Sequence, residues 1–482
     1  MKPWKHQKDG VLFAKQNRGT LFHWDMGSGK TIGTILIAEE IKAKKILIIS
    51  PKAVIPVWSK EFDKFLPGKY LISAFNKGTV KKKTNDLKRF MSLHPQRCKV
   101  AVFNYEACWR PGLGFTRDKR KRIIDKGALI DIEWDLIVLD EAHKICASTS
   151  KISEFCSHLR ESGKKLLALT GTPLTNGPLS AHGIFNFLAP EIFGTWAINS
   201  RGKKYLSKSY YRFKMQYAIF GGFQNHQVVE YINQDVFKEK FASITHQVKV
   251  DDVIELPDVV HEYMSCELSP KARKLYDEFK DECVINLNNS ELTAENVLVK
   301  TLRLAQIAAG SVNDDEGNTH IVDSAKVDMA KEIIEGLPPN EAVVVFGRFT
   351  SEIERLRADL EKTKKDCFKC SELTGKCNEL AKWQNGESRV LLVNIKAGSA
   401  GVDFTRSRYC IYLSTGYSYV DYQQSLARLR RPGSDLTQKI IYYHVNALDT
   451  IDERVAVALN NKRNVIDAIL LDLEPRSHEF AA

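Results

Sequence analysis

The stretch RGTLFHWDMGSGKTIGTILIAEE, residues 18–40, places a glycine-rich turn between an apolar run and a helix-like segment. Such a turn can aim backbone N–H groups at phosphate oxygens, and the following helix adds its positive N-terminal end. Lys30 would then reach the β- and γ-phosphates of a nucleotide, and the hydroxyl of Thr31 would hold Mg²⁺. The strict pattern has glycine where this chain has Trp24. The turn alone therefore does not decide whether a nucleotide binds.

A second candidate site is LIVLDEAH, residues 136–143, where Asp140 and Glu141 follow an apolar run. A carboxylate at a strand end can hold the Mg²⁺ that bridges the phosphates, and the next carboxylate can orient or deprotonate the attacking water. Two acidic residues at a strand end are also common on ordinary solvent-facing surfaces. In combination with the lysine turn upstream, the pair favours a site for ATP and Mg²⁺.

Apolar, β-branched runs alternate with amphipathic stretches, which is typical of βαβ units and parallel sheets. Two sets of runs are predicted to be strands: 45–50, 99–105, 135–141 and 165–171, then 342–348, 389–395, 409–414 and 438–445. They predict an α/β fold of two domains, each with its own parallel sheet. We place the first domain at residues 1–250, with an irregular aromatic-rich insert at about 195–245. The second is placed at residues 251–482, with a helical insert at about 265–325.

The formal net charge is +12. A basic chain suits a nucleic acid because lysines and arginines that neutralise phosphates release condensed counterions, although many basic proteins bind none. The densest basic runs are 81–83 and RDKRKR at 117–122, and each is either a nucleic-acid-facing loop or a solvated one. No apolar run is long enough for a membrane span, and the N-terminus lacks the apolar core of a secretion signal. The expectation is a cytoplasmic protein, in the nucleoid or the host cell if it is bacterial or from a phage.

The ten cysteines are scattered, which fits a reducing compartment. Cys367, Cys370 and Cys377 include a spacing found in zinc sites, but no fourth ligand lies nearby in the sequence. Ordinary packing or surface thiols are therefore favoured over a metal site.

Further motifs accompany the Asp-Glu-Ala-His stretch: KPWKHQKDGV (2–11), LIISPKAVIPVWSKEFDKF (47–65), FNYE (103–106), LTGTPLTN (169–176), IFNFLAPEIFG (184–194), KAGSAGVDFT (396–405) and QQSLARLRRPGS (423–434). With them the chain resembles the Swi/Snf-like ATPases of helicase superfamily two over nearly its whole length. That family's phosphate loop also lacks the first glycine, so Trp24 ceases to be an objection. The length is close to that of a bare motor core, as in phage or bacterial relatives. The resemblance implies two tandem RecA-like lobes with a mostly helical insert between them.

The resemblance also implies roles for residues of the first lobe. Gln7 corresponds to the position that reads adenine. The phosphate loop is formed by Gly27, Ser28, Gly29, Lys30 and Thr31, with Asp140 completing the Mg²⁺ site and Glu141 activating water. Pro51 and Lys52 are implied to lie against the nucleic-acid backbone, and Thr170 and Thr172 to couple the ATP site to the nucleic-acid track.

In the second lobe, the resemblance implies that Gly401 and Asp403 lie near the nucleotide in a closed state, and that Gln424 contributes to coupling. Arg428 and Arg431 match the arginines that stabilise charge on a transferring phosphoryl group. Spaced three apart, they are expected to share one helix face. Taken by themselves they favour a surface ion-pair helix or an RNA-like basic strip, and only the other motifs favour a catalytic role.

The chain departs from the family pattern in this lobe. Gly347 and Arg348 stand where the family usually has Ser-Gln, so no contact is carried over to them. Arg430 replaces the usual histidine, and Ser434 replaces the usual glutamine.

The implied activity is an ATPase that is stimulated by nucleic acid, translocates on duplex DNA and remodels protein–DNA or DNA structures. Single-stranded DNA and RNA remain alternative tracks. Contacts to phosphates and sugars would give little sequence preference. One alternative activity is strand separation on DNA or RNA. Another is a nucleic-acid-binding motor subunit or scaffold that acts with a partner nuclease, and the middle insert could dock such a protein partner.

Overall fold

The computed structural model describes residues 3–120, 122–175, 177–198, 204–207, 209–221, 227–289, 294–314, 316, 318–363, 368–398 and 402–470. The chain divides into two compact units, one comprising Met1–Val253 and Asn464–Ala482, the other Ile254–Arg463. Each unit is built around its own parallel sheet, which confirms the predicted fold of two RecA-like lobes. None of the helices in these residues has the length and apolar composition of a membrane-spanning segment.

The first unit contains a seven-stranded sheet and three short hairpins. Its strands are β1 Gly19–Trp24, β2 Lys45–Ser50, β3 Tyr70–Phe75, β4 Cys98–Asn104, β5 Phe115–Arg117, β6 Ile123–Lys126, β7 Trp134–Asp140, β8 Gly163–Leu169, β9 Thr195–Ile198, β10 Lys204–Ser207, β11 Ala218–Gly221, β12 Gln227–Tyr231 and β13 Thr245–Val248. The sheet has the order β13-β1-β8-β7-β2-β4-β3, and all its pairs are parallel. The three hairpins, β5–β6, β9–β10 and β11–β12, are antiparallel.

Helices connect these strands. They are α1 Lys5–Gln16, α2 Lys30–Glu40, α3 Ile55–Phe65, α4 Val80–Ser92, α5 Tyr105–Cys108, α6 Ala128–Asp131, α7 Lys151–Leu159, α8 His182–Leu188, α9 Pro190–Phe193, α10 Tyr210–Tyr217 and α11 Gln234–Ile244. A buried apolar cluster of strand and helix residues lies between β1, β2, β4, β7, β8 and the helices α1, α2 and α3. Residues 195–245, predicted to be irregular, contain two of the hairpins together with α10 and α11.

The second unit has a six-stranded parallel sheet of order β14-β21-β20-β17-β19-β18. Its strands, with one antiparallel hairpin, are β14 Val259–Cys266, β15 Ser311–Asn313, β16 Thr319–Ile321, β17 Val343–Gly347, β18 Cys370–Leu373, β19 Val390–Asn394, β20 Tyr409–Tyr412 and β21 Ile440–Ala447. Its helices are α12 Pro270–Asn289, α13 Ala294–Ala308, α14 Ala325–Gly336, α15 Thr350–Glu361, α16 Leu380–Gln384, α17 Ile395–Gly398, α18 Tyr419–Leu426 and α19 Ile451–Leu470.

The eight runs predicted as strands are strands, with ends that shift by at most two residues. The strands without a prediction include the sheet edges β3, β13, β14 and β18. Central strands of a parallel sheet are covered on both faces and read as continuous apolar runs. The edge strands contain partly exposed or exposed residues instead, so their sequences carry no such signal.

Candidate functional site

The phosphate loop joins β1 to α2 at the edge of the first sheet where the strands end. Gly27 and Gly29 have φ angles of 85° and 80°, in the left-handed region that strains other residues. Gly29 precedes the first helical residue, Lys30, so the unpaired N–H groups of the helix start face the loop. The Lys30 amine donates to the backbone oxygens of Trp24 at 2.9 Å and Asp25 at 3.1 Å. Its charge therefore lies within the loop.

The other loop side chains hold the turn together. The Ser28 hydroxyl is fully buried and donates to the Asp25 carbonyl oxygen at 2.6 Å. The carbonyl oxygen of Ser28 lies 2.8 Å from Nε2 of His6 on α1. Thr31 is the second residue of α2 and is partly exposed. Its hydroxyl is thus at the helix start, where the sequence predicts a Mg²⁺ ligand.

Trp24 is compatible with the loop because its indole packs between two helices. The ring stacks on Phe22 with centroids 4.1 Å apart, and Nε1 donates to Nδ1 of His246 at 2.9 Å. A Cβ atom added at Gly10 of α1 would lie 2.5 Å from the indole, and one at Gly33 of α2 would lie 2.7 Å from it. The two glycines therefore provide the space that this tryptophan occupies.

Gln7 carries a buried amide group beside the phosphate loop. Its Oε1 accepts the backbone N–H of Trp4 at 3.0 Å, whereas Nε2 is buried without a hydrogen-bond partner in the described part of the chain. A Cβ atom at Gly29 would lie 2.4 Å from that nitrogen. An unpaired buried donor is costly, and a ring nitrogen of a purine would satisfy it. The residues present therefore fit an adenine nucleotide.

Asp140 ends β7 and is held by two other motifs. Its Oδ2 accepts a hydrogen bond from Trp58 Nε1 at 2.9 Å, and its backbone oxygen accepts one from the Tyr105 hydroxyl at 2.7 Å. Burial, and then the adjacent Glu141, raise the pKa of Asp140, while the Trp58 hydrogen bond and the charge of Lys30 act in the opposite direction. A buried carboxylate within the field of Lys30 is the hard oxygen ligand that Mg²⁺ prefers. The donor set thus fits Mg²⁺.

Glu141 is connected to the two threonines that the sequence assigns to coupling. Its Oε2 lies 3.2 Å from Nδ1 of His143, and the same nitrogen lies 3.4 Å from the hydroxyl of Thr170. The Thr170 hydroxyl in turn accepts the backbone N–H of Thr172 at 3.0 Å. His143 therefore joins the residue predicted to activate water to the turn after β8.

Lys52 lies at the same edge, in the turn that follows β2, and is exposed. The turn is closed by a hydrogen bond from the Val54 N–H to the Pro51 oxygen at 2.9 Å. Burial tends to raise the pKa of Glu106, but a hydrogen bond from Asn104 and the charges of Lys144 and Lys52 hold it below its usual value. Lys52, Glu106 and Lys144 thus form one charged group at this edge of the sheet.

In the second unit, the prediction that Arg428 and Arg431 share a helix face is wrong. Helix α18 ends at Leu426, and both arginines lie in the turns that follow. Pro432 disfavours helical backbone at the residue before it, and Gly433 has a φ of 105°. The sequence spacing is compatible with a helix, but α18 ends at Leu426, before either arginine.

The same turns bring the arginines next to the segment that contains Asp403. The backbone oxygen of Arg428 accepts the N–H of Phe404 at 3.1 Å, and Arg431 Nη1 donates to the Val402 oxygen at 3.2 Å. The Arg428 side chain is only 5% exposed.

Asp403 itself accepts hydrogen bonds from the N–H and the hydroxyl of Thr405, at 2.8 and 2.7 Å. Gln424, on α18, is buried. Gly401 lies outside the described residues.

The departure from the family pattern at Gly347 and Arg348 has a local explanation. Oε1 of Glu352 accepts the backbone N–H groups of Arg348 at 2.6 Å and Phe349 at 2.9 Å. A Cβ atom at Gly347 would lie 3.0 Å from that oxygen. The carboxylate of Glu352 therefore occupies space that a side chain at Gly347 would need.

The two basic runs have different outcomes. Residues 81–83 lie in helix α4 and not in a loop, and Lys83 is buried with its amine donating to Asn104 Oδ1 at 3.0 Å. Residues 117–122 begin with the last residue of β5 and continue into the turn before β6, with Lys121 outside the described residues. Cys367 also lies outside them, and the side chains that the structure does describe contain no cluster of three or more residues able to hold a metal.

Trp58, Tyr105 and His143 are the site residues that sequence reasoning missed. Each lies within a stretch that had been singled out, but none was given a role. Trp58 and Asp140 are 82 residues apart, so no local pattern joins them. A tryptophan in a short amphipathic helix reads as core packing, and only the pairing of β2 with β7 brings its N–H to the carboxylate.

Comparison with known proteins identifies the family. Residues 6–312 match the SNF2-related domain family, and residues 325–433 match the helicase conserved C-terminal domain. An uncharacterized ATP-dependent helicase of Mycoplasma genitalium is 26% identical over 97% of this chain and 42% of its own length. The human DNA annealing helicase and endonuclease ZRANB3 is 23% identical over 96% of this chain and 40% of its own length.

The chain thus spans about two fifths of the length of these curated relatives. Among solved structures, it is similar to a Sulfolobus solfataricus SWI2/SNF2 ATPase core in complex with dsDNA. The two are 22% identical, with a TM-score of 0.42, over 98% of this chain and 93% of the other.

Proposed function

Because the chain belongs to the SNF2-related family and is an ATP hydrolase of that family, we propose that it couples ATP hydrolysis to translocation on duplex DNA. The output would be the displacement or remodelling of protein–DNA or DNA structures, without obligatory strand separation. The observation that carries the proposal is the His143 bridge. It joins Glu141, at the nucleotide, to Thr170, in the turn assigned to the nucleic-acid track.

The residues of the first unit divide the chemistry among them. Gln7 recognises the adenine, and Lys30 neutralises the β- and γ-phosphates. Thr31 and Asp140 hold Mg²⁺, which when bound neutralises charge that develops on the phosphates. Glu141 orients the attacking water and accepts its proton. His143 keeps the Glu141 carboxylate in place.

Arg428 and Arg431 are proposed to stabilise the transferring phosphoryl group. Arginines in this role contribute a rate factor of roughly 10³–10⁵. Arg428→Ala should therefore reduce the rate of hydrolysis far more than it weakens ATP binding. A loss confined to ATP affinity would contradict this role.

The test of the proposed function is the rate of ATP hydrolysis with duplex DNA, single-stranded DNA and RNA, each at saturation. Duplex DNA should give the greatest stimulation, and the enzyme should displace the third strand of a triplex. Greater stimulation by RNA would contradict translocation on duplex DNA and would support strand separation instead. Greater stimulation by single strands, together with unwinding of a duplex, would lead to the same conclusion.

Two variants separate turnover from binding in the same assay. Lys30→Ala and Glu141→Gln should both abolish hydrolysis because each removes a group that acts on the phosphates or on water. Duplex binding should be largely retained in both. Turnover in either variant would refute the assignment of the site.

A further inference from the structure

The β5–β6 hairpin, residues 115–126, carries the second basic run in its turn and is called the basic hairpin below. The turn is fixed by Asp118, whose Oδ1 accepts the backbone N–H groups of Arg120 and Arg122, each at 2.9 Å. Nε of Arg122 also donates to Oδ2 of Asp118 at 2.8 Å. Asp118 therefore holds the backbone at Arg120 and Arg122, and the side chains of Lys119 and Arg120 are exposed.

Contacts with α7 set the direction of the basic hairpin. The ring of Phe115 meets that of His158 with centroids 5.3 Å apart, and Arg117 forms an ion pair with Glu154. Two residues along β5 span about 6.6 Å, and four residues back along α7 span about 6 Å. Strand β5 therefore runs antiparallel to α7. The hairpin turn must point toward Lys151, the first residue of α7.

That end of α7 lies at the edge of the sheet that carries the candidate site. Helix α7 connects β7 to β8, which are parallel neighbours, so it runs back across the sheet and begins where the strands end. Asp140, Glu106 and Lys52 all follow strand ends at the same edge. The turn of the basic hairpin is thus directed at the edge where the nucleic-acid track is proposed.

A cationic group connects the hairpin to that track. The Lys151 amine lies 4.9 Å from the ring centroid of Trp109, and the Arg110 guanidinium lies 5.5 Å from it. Nε of Arg110 donates to the Glu106 backbone oxygen at 3.1 Å. Trp109 therefore lies between two positive charges, that of Arg110 next to Glu106 and that of Lys151 at the start of α7.

Exposed basic residues lie at both edges of the first sheet. At the edge where the strands begin, Lys15, Lys69 and Lys164 pair with Glu40, Glu39 and Asp135, while Lys42, Lys44 and Lys45 form no ion pair with a described residue. At the site edge and the hairpin turn, four exposed basic residues form no ion pair with any residue that the structure describes: Lys119, Arg120, Lys144 and Lys151. Lys119 and Arg120 are adjacent in the hairpin turn, and a polyanion removes the repulsion between neighbouring like charges.

We propose that the turn of the basic hairpin, through Lys119 and Arg120, binds the phosphate backbone of duplex DNA. This extends the track that begins at Lys52. The inference rests on the proposed function for its choice of duplex. Contacts to phosphates carry no base information, so the hairpin adds grip on the duplex without sequence preference.

Counterion release gives the size of the effect. Each phosphate contact adds about 0.9 to the slope of log binding constant against log salt. Loss of two contacts should lower that slope by about 1.8 and should weaken binding of the duplex by roughly several tens of fold at 0.1 M salt.

The experiment measures binding of a fluorescein-labelled duplex by anisotropy across a series of KCl concentrations. The double variant Lys119→Ala/Arg120→Ala keeps Asp118 and its backbone bonds, so the turn is retained. Lys164→Ala is the matched control because it removes a surface lysine that is paired at the opposite edge. The double variant should lose about 1.8 units of slope, and the control should keep the wild-type slope.

An unchanged slope in the double variant would overturn the proposal, as would an equal loss of slope in the control. A loss seen only with a single-stranded probe would overturn the choice of duplex. Because the assay reads binding without turnover, it separates the two hypotheses. If duplex DNA does not stimulate hydrolysis by the wild-type protein, the proposed function is contradicted. The slopes of log binding constant against log salt still show whether the hairpin contacts phosphates.

Discussion

Replacing Trp58 with phenylalanine tests whether the indole orients the carboxylate of Asp140. Nε1 of Trp58 donates to Oδ2 of Asp140 at 2.9 Å, and both groups are buried. Phenylalanine keeps an aromatic ring in the core but has no N–H, so the carboxylate loses this donor while most of the packing remains. Since Asp140 is the proposed Mg²⁺ ligand, the change should act first on metal affinity.

Two independent magnitudes set the size of the expected loss. A hydrogen bond to a charged group contributes about 1.5–3 kcal/mol, which corresponds to roughly 10- to 150-fold in a binding constant. Loss of a group that orients a metal ligand lowers metal affinity by about 10- to 100-fold. We therefore expect the Mg²⁺-dependent part of nucleotide affinity to fall by roughly 10- to 100-fold in Trp58→Phe.

The assay is a fluorescence titration with N-methylanthraniloyl-ADP, once with Mg²⁺ and once with EDTA. The ratio of the two dissociation constants isolates the contribution of the metal. Trp134→Phe is the matched control because Trp134 is also fully buried and begins the strand that Asp140 ends. Its Nε1 donates to the Leu129 oxygen at 2.9 Å, away from the carboxylate. Both variants should lose thermal stability, but only Trp58→Phe should change the ratio.

Two results would refute this reasoning. If both variants lowered the Mg²⁺-dependent affinity equally, the effect would come from general loosening of the core. If Trp58→Phe left the ratio at its wild-type value, the indole N–H would not orient the metal ligand. A change in the EDTA titration alone would show that the indole affects the binding of the nucleotide itself and not that of the metal. This result would contradict the prediction as well.

Two further predictions concern stability. Gly33→Ala should lower the free energy of unfolding by up to about 2 kcal/mol, since overpacking against Trp24 outweighs the gain in helix propensity. The control Gly336→Ala should not lower it, because the space around its Cβ position is open. Equal effects of the two variants in urea unfolding would contradict the packing argument. Burial, and then the charge of His261, lower the pKa of His444 from 6.5 to about 3. The contribution of His444 to the free energy of unfolding is therefore present above pH 6.5 and is lost as the pH falls from 6.5 toward 3. Between pH 7.5 and 5.0 this loss is about 2 kcal/mol. His444→Phe should remove it, and an unchanged pH dependence of urea unfolding would show the titration lies elsewhere.

The sequence by itself was sufficient for the parts of the fold that depend on short windows. Continuous apolar runs predict the buried central strands because those strands are covered on both faces. The turn before Lys30 and the carboxylates at 140 and 141 follow such runs directly, so their place at the end of a strand needs no tertiary information. The helix prediction for Arg428 and Arg431 failed because their spacing suits a helix, whereas α18 ends at Leu426, before either of them.

Only the tertiary structure decides which of these local features touch. The sheet order β13-β1-β8-β7-β2-β4-β3 places neighbours far apart in the chain side by side. It brings Trp58 to Asp140 across 82 residues and, through His143, Glu141 to Thr170. The direction of the basic hairpin likewise comes from its contacts with α7. A local pattern determines backbone conformation and burial, whereas the partner of a buried polar group depends on the order in which strands and helices pack.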